Sequence, residues 1–221
     1  PCRCRQPSMQ GGRRKNVVLK FVFVGEKYAG KSACVNRIAK GTYTPSYLST
    51  LGFECADYIC DVSMPWSEYT ATCKLHDIAG EETSSRVTSI FFRDAFAIYI
   101  VAALQDPDQW GSVEEWHSRV REAVDGRISI PVYLLLNKVD LVSPSDRQRC
   151  LQRGRDLAAR LGLTGVYLTS AKTGEGLRHA VTQGVTRVLE LVDCPTEEGE
   201  QSESSEATEV VTEGKARRCN C

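Results

Sequence analysis

Gly25-Glu26-Lys27-Tyr28-Ala29-Gly30-Lys31-Ser32 stands between the apolar run Val17 to Val24 and the helix-like segment Lys31 to Lys40. Chance can produce a G-x-x-x-x-G-K-S spacing, but a strand before it and a helix after it give that spacing a physical meaning. Successive backbone N–H groups of such a loop point inward around a phosphate, and the helix N-terminus adds its positive end. Lys31 then reaches the β and γ oxygens, and the Ser32 hydroxyl is placed to ligate Mg2+.

Working outward from this loop, β-type runs alternate with helical patterns. The strand candidates are Val17 to Val24, Phe53 to Val62, Thr70 to Ile78, Ala95 to Leu104, Pro131 to Leu136 and Gly165 to Thr169. Such alternation predicts an α/β fold, a six-stranded, mostly parallel sheet with helices on both faces. Ser63-Met64-Pro65-Trp66-Ser67 punctuates the second and third runs, which predicts a hairpin and one antiparallel edge strand. Ser112 with Glu115 resembles a capping box, and Ser143-Pro144 supplies an N-cap followed by proline at the first helical position.

The chain has 221 residues with zero formal net charge, enough for one such domain, expected over residues 16–192, with a tail at each end. Residues 1–15 are basic through Arg3, Arg5, Arg13, Arg14 and Lys15, whereas seven glutamates fall between Glu197 and Glu213 in the acidic tail, residues 193–221. Their composition predicts that neither tail folds alone, and Thr196 to Gly214 reads as a flexible tether. Nothing points to nucleic acid. The ten cysteines are scattered and no signal-peptide hydrophobic region precedes them, a pattern that fits reduced cytosolic thiols. No apolar run approaches the ~20 residues needed to span a bilayer. Membrane attachment is therefore expected to be peripheral or through lipid.

Two further segments carry chemistry. Asp77-Ile78-Ala79-Gly80 closes the third strand, at the edge where open α/β sheets gather their ligands. An aspartate there can hold a metal-bound water, and the glycine lets a backbone N–H approach a γ-phosphate. Asn137-Lys138-Val139-Asp140 follows the buried run Tyr133 to Leu136. A carboxylate at Asp140 can accept from both the ring N–H and the exocyclic amino group of guanine. Adenine has neither donor at that edge and would leave the carboxylate desolvated and unpaired, a penalty of roughly several kcal/mol. Ser170-Ala171-Lys172, after the sixth strand, can present a backbone N–H to the guanine carbonyl.

Together these segments resemble those of the Ras-superfamily small GTPases over Val17 to Leu191, and imply a P-loop small G domain. Within that superfamily Tyr47-Leu48-Ser49-Thr50-Leu51-Gly52 is similar to the first switch of Rab proteins, and Cys219-Asn220-Cys221 to their C-x-C lipidation signal. Asp77-Ile78-Ala79-Gly80, Glu26 and Gly165 resemble the Rab subgroup associated with lysosome-related organelles and mitochondria. The resemblance implies GTP or GDP as bound nucleotide and Mg2+ as cofactor, held by Ser32, Thr50 and, through water, Asp77. It implies that Thr50 ligates the metal only when the γ-phosphate is present and that Gly80 bonds that phosphate. Tyr43 is expected against the guanine and Tyr47 over the phosphates, with Gly25, Lys27, Tyr28, Ala29, Gly30 and Ala33 completing the nucleotide contacts. Lys31, Gly80 and Glu81 are the implied catalytic set. The implied partners are an exchange factor, a GTPase-activating protein, prenyl-delivery and GDP-dissociation-inhibitor proteins, and effectors at the two switches. A monomer is expected, on the cytoplasmic face of an endomembrane with a cytosolic pool, anchored by geranylgeranyl groups on Cys219 and Cys221.

The chain departs from the family pattern in three places. Glu81 stands where most members carry a glutamine that orients the attacking water. A carboxylate cannot donate to the γ-phosphate, and its charge opposes the developing negative charge, so hydrolysis is expected to be slow. Lys27 and Tyr28 add bulk beside the phosphates, where Lys27 obstructs an incoming arginine, neutralises γ-phosphate charge or simply faces solvent. Cys55 and His76 stand where Rab proteins present a phenylalanine and a tryptophan to effectors, while Phe91 keeps the third ring. A hydrolysis-deficient GTP-binding scaffold is the alternative that Glu81 and Lys27 support.

Overall fold

The computed structural model describes residues 14–45, 53–79, 90–124 and 130–193. Tyr47, Thr50, Gly80, Glu81, Cys219 and Cys221 lie outside the described residues. Six strands form one sheet: β1 (Lys15–Val24), β2 (Phe53–Met64), β3 (Ser67–Ile78), β4 (Ala97–Ala103), β5 (Val132–Asn137) and β6 (Gly165–Leu168). Their order is β2-β3-β1-β4-β5-β6, and only the β2–β3 pair is antiparallel. The expected hairpin is present. Its strands run on to Met64 and start again at Ser67, leaving Pro65 and Trp66 as a two-residue turn.

Phe21 to Val24 of β1 are all fully buried because both faces of the strand meet helices. Leu19, Phe21 and Phe23 join a core with α1 (Lys31–Lys40) and α4 (Leu177–Val192). Val22 and Val24 join another with α2 (Pro107–Val124) and Leu157 of α3 (Pro144–Leu161). On the α1 and α4 side, aromatic rings cross four adjacent strands. Phe23 stacks on Tyr99 at 4.9 Å, Tyr99 on Tyr133 at 5.3 Å, and Tyr133 tilts against Tyr167 at 5.9 Å. Burial, with neighbouring tyrosines adding to it, pushes the Tyr99 phenol well above its ordinary range, so its O–H stays a donor, to the carbonyl of Ala180 at 3.3 Å.

Helix starts were legible to different degrees. Ser143 is the N-cap of α3, its side chain accepts from the Asp146 N–H, and proline follows it, as expected. The capping box at Ser112 is corrected: α2 starts five residues earlier, and the Ser112 hydroxyl donates back to the Gln109 carbonyl at 2.9 Å. Trp110, Val113, Trp116 and Val120, at helical spacing, bury the face that carries this longer helix. Cys34, Cys55, Cys60, Cys73 and Cys150 are free thiols, and among the described residues no helix is long and apolar enough to cross a membrane.

Candidate functional site

All the parallel strands end at one edge of the sheet, and the loop Gly25 to Gly30 leaves β1 there. Its turns need glycine for steric reasons. Gly25 has φ 138° and a Cβ there would fall 2.2 Å from the Val101 carbonyl oxygen, while Gly30 has φ 92° and its Cβ would fall 2.5 Å from Asn137 Nδ2. Tyr28 occupies the left-handed region at φ 65° with a side chain, an arrangement that costs a residue other than glycine about 1 kcal/mol. Its ring is 56% exposed, and the Lys27 ammonium lies 5.7 Å from its centroid.

Lys31 opens α1 and is 7% exposed, with its Nζ donating to the carbonyls of Gly25 at 3.0 Å and Glu26 at 2.9 Å. The ammonium is thus folded back over its own loop. Burial pulls its pKa below the ordinary lysine value, and the Asp77 and Glu26 carboxylates work against that pull. Asp77, at the end of β3, is 1% exposed, and Ser32 lies in the first turn of α1. A hydroxyl and a buried carboxylate are hard oxygen donors and suit Mg2+; Cys34 adds no competing thiolate, because burial pushes its thiol far up.

The guanine-reading candidates converge from two strand ends. Asn137 closes β5 and is 1% exposed; its Nδ2 donates to the Ala29 carbonyl at 2.9 Å, and its Oδ1 accepts from the Ala171 N–H at 3.1 Å. One carboxamide therefore bridges the phosphate loop and the loop after β6. Lys138 turns the chain at φ 66° into a short 3-10 turn, Val139–Leu141, which carries Asp140. The fully buried Ser170 hydroxyl donates to Asp140 Oδ1 at 2.6 Å and accepts from the Thr173 N–H at 3.1 Å. A base carbonyl arriving at Ala171 N–H would share or replace the Asn137 acceptor. Tyr43 is 38% exposed, while Ala33 lies in α1 and Lys172 in the turn after Ala171.

Two supports of the phosphate loop went unread in the sequence. The fully buried Trp116 of α2 donates its indole N–H to Glu26 Oε1 at 3.0 Å. Gln109, 5% exposed, accepts from the Ala103 N–H at 2.8 Å and donates to Asp106 Oδ2 at 3.0 Å and to the Lys27 carbonyl at 3.4 Å. The signal for the first was a carboxylate inside an anion-binding loop, which needs a donor elsewhere.

Cys55, His76 and Phe91 lie with a further ring that the sequence reading did not single out. Cys55 is opposite His76 in the β2–β3 register and brings no ring. Phe53, two residues earlier on the same strand face, stacks on His76 at 5.9 Å and tilts against Phe91 at 5.3 Å. The half-exposed Phe53 thus places a ring beside His76 and Phe91. Burial, with Lys20 and Lys74 nearby, holds His76 below its ordinary pKa, so this stack is neutral at pH 7.

The family model described as the Ras family matches residues 20–190. The chain is 24% identical over 210 residues to the Ypt/Rab-type GTPase YPT7 of Saccharomyces cerevisiae, covering 94% of this chain and 99% of that protein. It is 28% identical over 174 residues to the Ras-related protein Rab-32B of Dictyostelium discoideum, covering 78% and 65%. With the Ras-related protein Rab-26 of Rattus norvegicus it shares 28% identity over 181 residues, covering 80% and 66%.

Proposed function

We propose that this chain, which belongs to the Ras family of small GTPases and within it is of the Rab kind, is a guanine-nucleotide switch for intracellular membrane trafficking that turns over slowly. The observation that carries the nucleotide reading is the Asn137 carboxamide, which ties Ala29 of the phosphate loop to Ala171 of the base loop. A ligand spanning both loops needs a phosphate at one end and a base at the other. Asp140, oriented by the Ser170 hydroxyl, fits the paired donors of guanine.

Lys31 would exchange its two loop carbonyls for phosphate oxygens, an exchange that restores a full countercharge to a buried ammonium. Ser32 and Asp77 would hold Mg2+ with Thr50; the bound ion neutralises phosphate charge. Attack by water on the γ-phosphorus needs an oriented nucleophile, and Glu81 supplies a carboxylate where a donor helps most. Lys27, beside the Tyr28 ring and lining a cleft with Asp106, Asp108 and Glu115, adds bulk at the entry that an external arginine would use. Exchange and hydrolysis then both depend on partner proteins, and Phe53, His76 and Phe91 present an aromatic face to effectors. Geranylgeranyl groups on Cys219 and Cys221 would anchor the protein to an endomembrane, with a carrier-bound cytosolic pool. Glu26, Gly165 and the wording Asp77-Ile78-Ala79-Gly80 support the subgroup linked to lysosome-related organelles.

Single-turnover hydrolysis of bound GTP tests this reading. Glu81→Gln and Lys27→Gly are each expected to speed it, and unchanged rates in both remove the slow-switch account. A wild-type protein that binds GTP and never cleaves it, even with activating partners, favours the scaffold reading.

A further inference from the structure

We infer that Arg37 is a positioning residue for the base-binding loop, setting how long a guanine nucleotide is held; this rests on the nucleotide reading above. Arg37 lies in the last turn of α1, the helix that begins at the phosphate-binding Lys31. Its guanidinium leaves that helix for three carbonyls. Nε donates to the Ala171 oxygen at 2.8 Å, Nη2 to the Lys172 oxygen, and Nη1 to the Gly41 oxygen at 2.6 Å.

The geometry is that of a fork. Nε and Nη2 form one edge of the planar guanidinium, and they meet two successive carbonyls of the base loop. The remaining Nη1 meets the residue that ends α1, at the negative end of the helix dipole, where a cation is favoured. Gly174, at φ 88°, turns the loop over the arginine stem, where a Cβ would lie in van der Waals contact, 3.6 Å from Arg37 Cδ.

The Ala171 residue is consequently held by its backbone on both sides. Its N–H goes to Asn137 Oδ1 and its C=O to Arg37 Nε. Asn137 links that residue to the phosphate loop, and Arg37 links it to the helix the phosphate loop starts. Losing Arg37 leaves the Ala171 backbone with the Asn137 link alone, while the ends of the loop stay held by the Val139 N–H on the Thr169 carbonyl and by Arg147 on Glu175. A lysine has three donors on a point charge and cannot match the two-carbonyl edge, so it should replace the arginine only in part.

The test is the release rate of a fluorescent GDP from the full-length chain in Mg2+, for wild type, Arg37→Ala and Arg37→Lys. Ile38→Val, in the same helix but facing the core, serves as a control for loss of stability. Arg37→Ala should release GDP about tenfold faster than wild type, the factor that goes with one net charge-assisted hydrogen bond. Arg37→Lys should fall between them. Amide exchange should accelerate at Ala171 to Gly174 while α1 keeps its protection. The inference is overturned if Arg37→Ala releases GDP no faster than Ile38→Val at an equal loss in melting temperature. Where Arg37→Ala does not fold, Arg37→Lys decides alone, and a wild-type rate overturns the inference. Wild-type protein that holds no guanine nucleotide overturns the nucleotide reading and this inference with it, whereas wild-type binding with unaltered Arg37 variants removes the inference only.

Discussion

The indole N–H of Trp116 donates to Oε1 of Glu26 at 3.0 Å, joining the buried face of α2 to the second residue of the phosphate loop. A carboxylate in a loop built for anions is repelled by its ligand unless it is turned elsewhere, and the indole supplies that direction.

Trp116→Phe keeps most of the ring volume and removes the donor. The expected loss is about 1.5–3 kcal/mol in urea unfolding, the range for a hydrogen bond to a charged group. A double-mutant cycle with Glu26→Met, which keeps the length of the side chain and removes the acceptor, separates this bond from the packing change. A coupling near zero would show that the contact contributes nothing.

Asn137→Ala removes the bridge at its centre. It leaves the buried Ala29 carbonyl and Ala171 N–H without their partner, at about 1–3 kcal/mol for each. The urea midpoint should drop and nucleotide release should accelerate together. Destabilisation with unaltered release would separate the bridge from binding.

Ser170→Ala leaves Asp140 without its 2.6 Å donor and the Thr173 N–H without its side-chain acceptor. Base discrimination should suffer more than overall affinity for phosphates. The ratio of GDP to IDP affinity is expected to fall by about fivefold to tenfold, equivalent to about 1 to 1.4 kcal/mol. Competition binding against IDP measures it.

At the opposite end of the sheet, Lys15 donates to Asp193 at 2.8 Å, Tyr69 donates to the same carboxylate, and Trp66 donates to Tyr69 at 3.0 Å. Burial alone would raise the Asp193 carboxyl, but the bonds from Lys15 and Tyr69 hold it below its ordinary value of 3.8. Lys15 is raised above 10.5, chiefly by its bond to Asp193. A depressed carboxyl stabilises the fold above its unfolded pKa and loses that effect as pH falls through the folded value. The raised lysine stabilises below 10.5 and loses its effect as pH climbs past its folded value. Asp193→Asn should therefore melt earlier than wild type at neutral pH, with the difference closing as pH falls below 3.8 and through the lower folded value. A difference that stays constant as the carboxyl is protonated would contradict the clamp.

The parallel sheet was legible because apolar runs alternated with helical spacing, and the hairpin because Pro65 and Trp66 broke the pattern between two strands. The candidate phosphate and base segments stood out for a related reason: each is contiguous, and each follows a strand. What escaped reading acts across the sequence. Arg37 meets Ala171, Trp116 meets Glu26 and Phe53 meets Phe91 over separations that no local spacing records. The start of α2 was misplaced because Ser112 and Glu115 mimic a cap inside a helix whose apolar face begins at Trp110.

Extraction of the nucleotide carried by the purified wild-type chain, followed by chromatographic identification of its base, tests the central claim most directly. An equimolar amount of GDP or GTP is the predicted result. Adenine nucleotide in comparable amount, or a folded protein that takes up neither GDP nor GTP in the presence of Mg2+, would contradict it.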